Sequence, residues 1–156
     1  MIIIDGHNLI PNVRGLSLQA LDDEQGLIDR LQIYSRVSRR PVEVYFDRAP
    51  AGKSGVRAFG SVKAHFIHEG TTVDQAIITR VRNLGRAAGN WTVVSSDRRV
   101  QTEVRALGAR VISSQSFAQE LAEALINSQR NPDSKQGLSD SEVEEWLRLF
   151  EKQKKD

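Results

Sequence analysis

Apolar and polar positions along the chain change period several times, and each change marks an element. Residues 2–4 are three consecutive Ile, the pattern of a strand buried on both faces. A turn-rich stretch, IPNVRGLSLQ, follows. From 22 to 37, Leu27, Ile28, Leu31 and Tyr34 recur at helical spacing. Pro41 breaks that pattern, and VEVYF predicts a second strand that stops at Asp47. RAPAGKSGVRAFGS, with its Pro, Gly and basic residues, predicts a mobile basic loop over 48–61. VKAHFIH predicts a third, half-polar strand near a sheet edge. EGTTVDQAIITRVRNLGRAAG predicts a helix that turns Val73, Ala76, Ile77, Val81 and Leu84 inward and ends near Gly89. WTVVSS is a fourth strand. DRRVQTEVRALG is a short helix with Val100, Val104 and Leu107 inward and Gly108 at its stop. ARVIS is a fifth strand, and SQSFAQELAEALINSQ is a closing helix.

Strands alternating with helices predict an α/β domain with a mostly parallel five-stranded sheet and right-handed crossovers. This domain occupies residues 1–127. Residues 128–138, with RNPDSKQG, suit a linker. Residues 139–156 predict a C-terminal amphipathic helix, with a Ser139/Glu142 capping box and a stripe of Val143, Trp146, Leu147 and Phe150. That stripe suits docking on the domain itself or an oligomer contact.

Composition narrows the class. At 156 residues the chain suits one domain with a real core. No apolar run reaches the roughly 20 residues that span a bilayer. The first residues lack a charged region and a small-residue cleavage pattern, so no secretory leader is expected. The absence of Cys removes disulfides and thiolate metal sites and fits a cytoplasmic location. The net charge of +2 is unevenly spread: residues 140–156 carry −2, which leaves +4 on the rest, so a polyanionic partner is permitted.

The candidate chemistry lies at strand ends. Ligands of a parallel α/β sheet bind outside the carboxyl ends of its strands. Asp5 follows the first strand, Asp47 the second and Asp97 the fourth, while Asp74 falls in the first turn of the helix after the third. Four acids on one sheet edge repel one another, and a divalent cation relieves that cost. Oxygen-only ligands suit Mg²⁺ or Mn²⁺, which can activate water and neutralise a phosphodiester. Each acid also has a plainer role: Asp5 as a turn cap with Gly6, Asp47 as an ion-pair partner of Arg48, Asp74 in a T-x-x-D cap with Thr71, and Asp97 as a helix N-cap. Asn8 can orient a ligand or phosphate through its amide, or make an ordinary loop hydrogen bond.

Arg48, Lys53, Arg57, Arg80, Arg98 and Arg99 lie close to these acids in sequence and are candidates for holding phosphates, with a solvated polar face as the plainer alternative. A phosphate-binding P-loop is excluded because AGKS has Asp47 where the motif needs Gly. His7, His65 and His68 lack zinc-ligand spacing, and no G-x-S-x-G elbow supports acyl transfer.

With IIIDGHNLI, VEVYFD, GTTVDQAI and VVSSD in this order, residues 1–127 resemble the NYN domain, in its YacP-like branch, within the PIN-like nuclease class. The resemblance implies a three-layer α/β/α fold and metal-dependent RNA cleavage, with Asp5, Asp47, Asp74 and Asp97 at the site and Asn8 beside them. Asp5, Asp74 and Asp97 would hold Mg²⁺ or Mn²⁺, directly or through water, and Asp47 would complete the shell or position the attacking water. Residues 48–61, Arg98 and Arg99 would grip RNA. The branch includes a ribosome-associated endoribonuclease, so the ribosome or its mRNA is a candidate partner. One departure stands out: many PIN relatives carry a second acid beside the helix aspartate, where this chain has Gln75. Fewer acids there would mean one metal, weaker metal binding or a domain that binds RNA or the ribosome without cutting it, and, because the metal chemistry would be shared, a phosphohydrolase of small phosphate esters also stays open.

Overall fold

Three Ile in succession cannot all face one side of a strand, so the first strand needs apolar cover on both faces. The structure, a computed structural model, describes residues 1–16, 23–49, 55–68 and 70–130, and it supplies that cover. The elements are β1 (Ile2–Asp5), α1 (Gly6–Leu9), α2 (Asp23–Ser38), β2 (Val42–Ala49), β3 (Gly55–Phe59), β4 (Val62–His68), α3 (Val73–Leu84), β5 (Thr92–Val94), α4 (Arg98–Ala106), β6 (Arg110–Ile112) and α5 (Ser114–Arg130). They form a three-layer α/β/α sandwich around a six-stranded sheet of order β3-β4-β2-β1-β5-β6. All neighbours run parallel except the β3–β4 pair.

Ile2 and Ile4 join Val42, Val44 and Phe46 beneath α2 and α5, where Leu27, Ile28, Leu31, Phe117 and Leu121 meet them. Ile3 turns the other way, with Tyr45 and Val93, against Ile77 and Val81 of α3 and Val100 and Val104 of α4. Each fully buried Ile contributes about 1.5–3 kcal/mol relative to exposure. The apolar spacing foretold for α2, α3 and α4 is the spacing that packs.

Three sequence expectations change. Residues 55–59, expected in a basic loop, form an antiparallel edge strand on β4, so the sheet has six strands. An exposed edge strand carries little apolar periodicity, which is why VRAF passes for loop. The third α-helix ends at Leu84, where Gly85 takes φ 57° and ψ −125°, and the chain continues as a 3-10 helix over Gly85–Asn90, so the helical path reaches the expected end near Gly89 in a tighter form. Strand β2 continues past Asp47 to Ala49, with its register to β4 shifting between Phe46 and Ala49. Residues 128–130, expected in the linker, belong to α5, and the remaining expected linker and C-terminal helix, from residue 131 onward, lie outside the described residues.

The chain builds β1, β2 and β4 outward in one direction and then returns to place β5 on the other side of β1. The switch point of the sheet therefore lies between β1 and β5, and the crevice of such a sheet opens at the carboxyl ends of those strands.

Candidate active site

Strand parity decides which way the acids face. Asp5 lies two residues beyond Ile3 and pairs in register with Tyr45, so it belongs to the α3/α4 side of the sheet. Asp47 lies two beyond Tyr45, where the shift in β2 register can redirect a side chain. Asp74 sits in the first turn of α3 and Asp97 immediately before α4, the two helices that cover this face.

Asp74 and Asp97 both act on Asp5, and Asp97 and Asp47 both act on Asp74. Burial pushes the Asp5 carboxyl up to about 6; the Asn8 N–H opposes this, the charge of Asp74 adds to it, His7 opposes it and Asp97 adds again. Asp74 is also raised, first by burial, then by the charge of Asp97, against the pull of Arg99 and with a further push from Asp47. All four sequence-nominated acids thus fall within one electrostatic neighbourhood. Among the described residues, no three His, Asp or Glu side chains are grouped closely enough to hold a metal ion.

Local structure assigns further roles to several of these residues. Asp5 caps α1, its Oδ1 accepting from the Asn8 N–H at 3.3 Å. Asp97 caps α4, its Oδ1 accepting from the N–H groups of Arg99 at 2.8 Å and Val100 at 3.3 Å. Both bonds use one oxygen of the carboxylate. The T-x-x-D spacing predicts Thr71 and Asp74 as the cap of α3, but the cap is Thr72. Its Oγ1 accepts from the Gln75 N–H at 3.1 Å, and Gln75 Oε1 accepts from the Thr72 N–H at 3.5 Å. This leaves Asp74 outside the capping box and gives Gln75 a structural role.

Gly6 is required by close approach rather than by a sharp turn. A Cβ there would run into the Phe46 ring and come within 2.9 Å of the Tyr45 carbonyl oxygen. Asp5 is therefore placed by a contact between α1 and β2 as well as by the end of its own strand.

Asn8 acts as a clamp. Its Oδ1 accepts from the Ser96 N–H at 2.9 Å and from the Ser114 hydroxyl, joining the end of β1 to the loop before α4 and to the start of α5. Its Nδ2 makes no hydrogen bond among the described residues. Ser96 Oγ accepts in turn from the Ser114 N–H at 3.0 Å. His7 lies beside Asp5 and reaches Glu24 Oε2 of α2 at 3.0 Å. Glu24, Ser96 and Ser114 escape sequence reasoning because they are far from Asp5 in the chain and common in surface segments.

The candidate bases separate. Arg98 and Arg99 are exposed at the start of α4, and Arg99 lies 3.5 Å from Glu103 as well as near Asp74. Arg57 is exposed on β3, its guanidinium 5.5 Å from the Phe66 ring centroid. Arg48 belongs to β2, and Lys53 lies outside the described residues. Arg80 is committed elsewhere: Nε and Nη2 donate to Glu43 Oε1 and Oε2, both at 2.9 Å, while its guanidinium lies 5.2 Å from the Trp91 ring centroid. Glu43 is buried, and burial alone would raise its carboxyl. His65 and Arg80 outweigh burial and hold it at about 2.

The family model for the YacP-like NYN domain matches residues 2–154. The chain belongs to the YacP-like NYN family. The family is nuclease-like and RNA-related, and its match extends beyond 127 through the segment expected to form the linker and C-terminal helix. The fold is that of a YacP-like structure: Rae1 (YacP) from Bacillus subtilis superposes with a TM-score of 0.72 at 23% identity, covering 99% of this chain and 94% of that one. Its W164L mutant superposes with a TM-score of 0.63 at 22% identity, covering 96% and 95%. No curated protein matches the chain. In this YacP-like NYN domain the nominated donors are all carboxylate oxygens, two with pKa values raised partly by neighbouring acids, a chemistry that suits a hard divalent cation. Mg²⁺ commonly keeps several waters and uses only one or two carboxylates, so a donor set without a closed cage is compatible with it.

Proposed function

We propose that the chain is a metal-dependent endoribonuclease that hydrolyses RNA phosphodiester bonds. The observation that carries this reading is the convergence of Asp5, Asp74 and Asp97, with Asp47 acting on Asp74, at the carboxyl edge of a parallel sheet in a nuclease-like, RNA-related domain. Asp5, Asp74 and Asp97 would hold Mg²⁺ or Mn²⁺, directly or through water. When bound, the ion supplies charge neutralisation and an acidified water. Asp5 stands on a rigid strand end, so its position is set before substrate arrives. The free oxygen of Asp97 is held toward its task by the two N–H bonds on the other. Asn8 fixes the loop that carries Asp97 relative to Asp5. Asp47 would complete the shell or orient the attacking water, and Arg98 and Arg99 would neutralise phosphates near the acids, while Arg57, three strands from β1 on β3, would meet RNA only away from the scissile bond. A cytoplasmic substrate such as ribosome-associated mRNA is the context this reading carries.

A second reading is favoured by two observations. No three carboxylates are grouped at ligand distance among the described residues, and Gln75 serves a cap where relatives place an acid. On that reading the domain binds RNA or the ribosome without cutting it. A cleavage assay with Mg²⁺ or Mn²⁺, with and without chelator, on wild type, Asp5→Asn and Asp74→Asn separates the two. The nuclease reading expects chelator-sensitive cleavage lost in both variants. Cleavage indifferent to chelator and to both substitutions refutes it, and salt-sensitive RNA binding without cleavage supports the binding module.

A further inference from the structure

Helices α3 and α4 flank an open groove of about 560 Å³, whose lining residues Thr71 and Gln75 bracket Asp74 in sequence. Gln75, Thr79 and Arg82 line one wall from α3, Arg99 and Glu103 line the other from α4, and Thr71, just before α3, also lines it. Residues 75, 79 and 82 are spaced i, i+4, i+7, so they form a single stripe about 10 Å long down the helix. The opposite wall repeats the pattern with 99 and 103.

Ala76 and Ile78 add apolar surface to the lining, and the polar and charged side chains stand beside it. Thr71, Gln75 and Thr79 present hydroxyl and amide groups, and two guanidiniums project from opposite walls. Arg82 is exposed and makes no ion pair among the described residues. Among the described residues, the ion pair of Arg99 is an exposed contact with Glu103 at 3.5 Å, a kind of pair that contributes little and exchanges readily. Arg99 also links the groove to the acids, since its charge pulls against the raised Asp74 carboxyl.

We infer that the α3–α4 groove is the track along which a single RNA strand leaves the acidic edge, with Arg99 gripping a phosphate near Asp74 and Arg82 gripping one farther along. This inference rests on the RNA reading above and adds the path of the strand and a residue, Arg82, to it. Two separated cations flanked by neutral donors suit a flexible polyanion that threads between helices.

The test is RNA binding by the full chain carrying Asp5→Asn, which prevents cleavage, with Mg²⁺ present and a fluorescein-labelled single-stranded oligoribonucleotide as probe. Arg82→Gln and Arg99→Gln are each added, and Arg36→Gln removes the same charge from α2, on the opposite face of the sheet. Each groove substitution should weaken binding several-fold and reduce the slope of log affinity against log salt by about 0.7, the value for one single-strand phosphate contact. Arg36→Gln should change neither. In the otherwise wild-type chain, Arg82→Gln should raise KM for RNA and leave kcat unchanged. Wild-type slopes in both groove variants, with RNA still bound, overturn the track while the nuclease reading stands. Absence of RNA binding by the parent chain removes the RNA reading and the track with it. Weakened capture of a polyglutamate peptide with unaltered RNA binding reassigns the groove to an acidic protein partner and overturns the inference.

Discussion

Replacing Asp5 by Asn should stabilise the fold while abolishing cleavage. Asn is an equally good helix N-cap, has nearly the same volume, and keeps an oxygen to accept the Asn8 N–H. What it removes is a buried negative charge near two others. The Asp5 carboxyl moves from an ordinary 3.8 to about 6, chiefly through burial. A shift of about two units corresponds to about 3 kcal/mol of penalty on the ionised form. The sign follows from proton counting. Between pH 4 and 6 the folded chain binds more protons at Asp5 than the unfolded chain, so stability falls as pH rises through that window. Above it the whole penalty is present, and below pH 4 it vanishes. Urea denaturation of the metal-free chain should therefore show Asp5→Asn ahead of wild type by about 3 kcal/mol at pH 7.5, with the gap closing toward pH 4. In thermal melts that is roughly 6–12 °C for a chain of this size. Added Mg²⁺ or Mn²⁺ should stabilise wild type, by about 2.7 kcal/mol at a hundred times its dissociation constant, and stabilise the variant much less. A variant no more stable than wild type at pH 7.5, or a gain that persists unchanged at pH 4, refutes the reasoning.

Glu43 should show the opposite pH dependence: held at about 2 against an ordinary 4.5 by His65 and Arg80 together, it contributes stability above pH 4.5 that is lost as pH falls toward 2. Arg80→Met should cost about 3 kcal/mol, the lower end for a broken buried pair because the Arg80 side is open to water, and equilibrium unfolding at pH 7 measures it. Gly6→Ala should destabilise by about 1–3 kcal/mol through the clash with Phe46 and Tyr45 and lower cleavage by displacing Asp5; an unchanged melting temperature contradicts the close-approach role. Gln75→Glu should preserve the capping box and tighten divalent-ion binding measured by calorimetry, whereas Thr72→Ala should lose about 1 kcal/mol of stability; equal ion affinity in Gln75→Glu and wild type places residue 75 outside the ion's reach.

Asp97 and Asn8 illustrate why the plain and functional roles of a residue need not compete. Asp97 has two oxygens, and its cap uses one. Asn8 has an oxygen and a nitrogen, and its clamp uses the oxygen. A carboxylate or amide fastened by half of its hydrogen-bonding capacity is better oriented at the other half, which is the preorganisation a site on loop residues otherwise lacks.

The sequence by itself determined the layered α/β architecture, the core faces of the helices and the four candidate acids. Those features depend on short-range periodicity and on the end of each strand, and both are written locally. The resemblance carried by the ordered acids reached the family as well. Only the tertiary structure decided the rest. VRAF became a strand because β4 was there to pair with it, and an edge strand pairs through backbone groups that side-chain pattern does not encode. Gly6 owes its identity to Phe46, forty residues away. The Asn8–Ser96–Ser114 clamp and the Glu43–Arg80 pair join distant segments that no local period connects. Asp5 could be picked out as an acid at a strand end; its raised pKa required the burial and the neighbouring charges that appear only when the strands align.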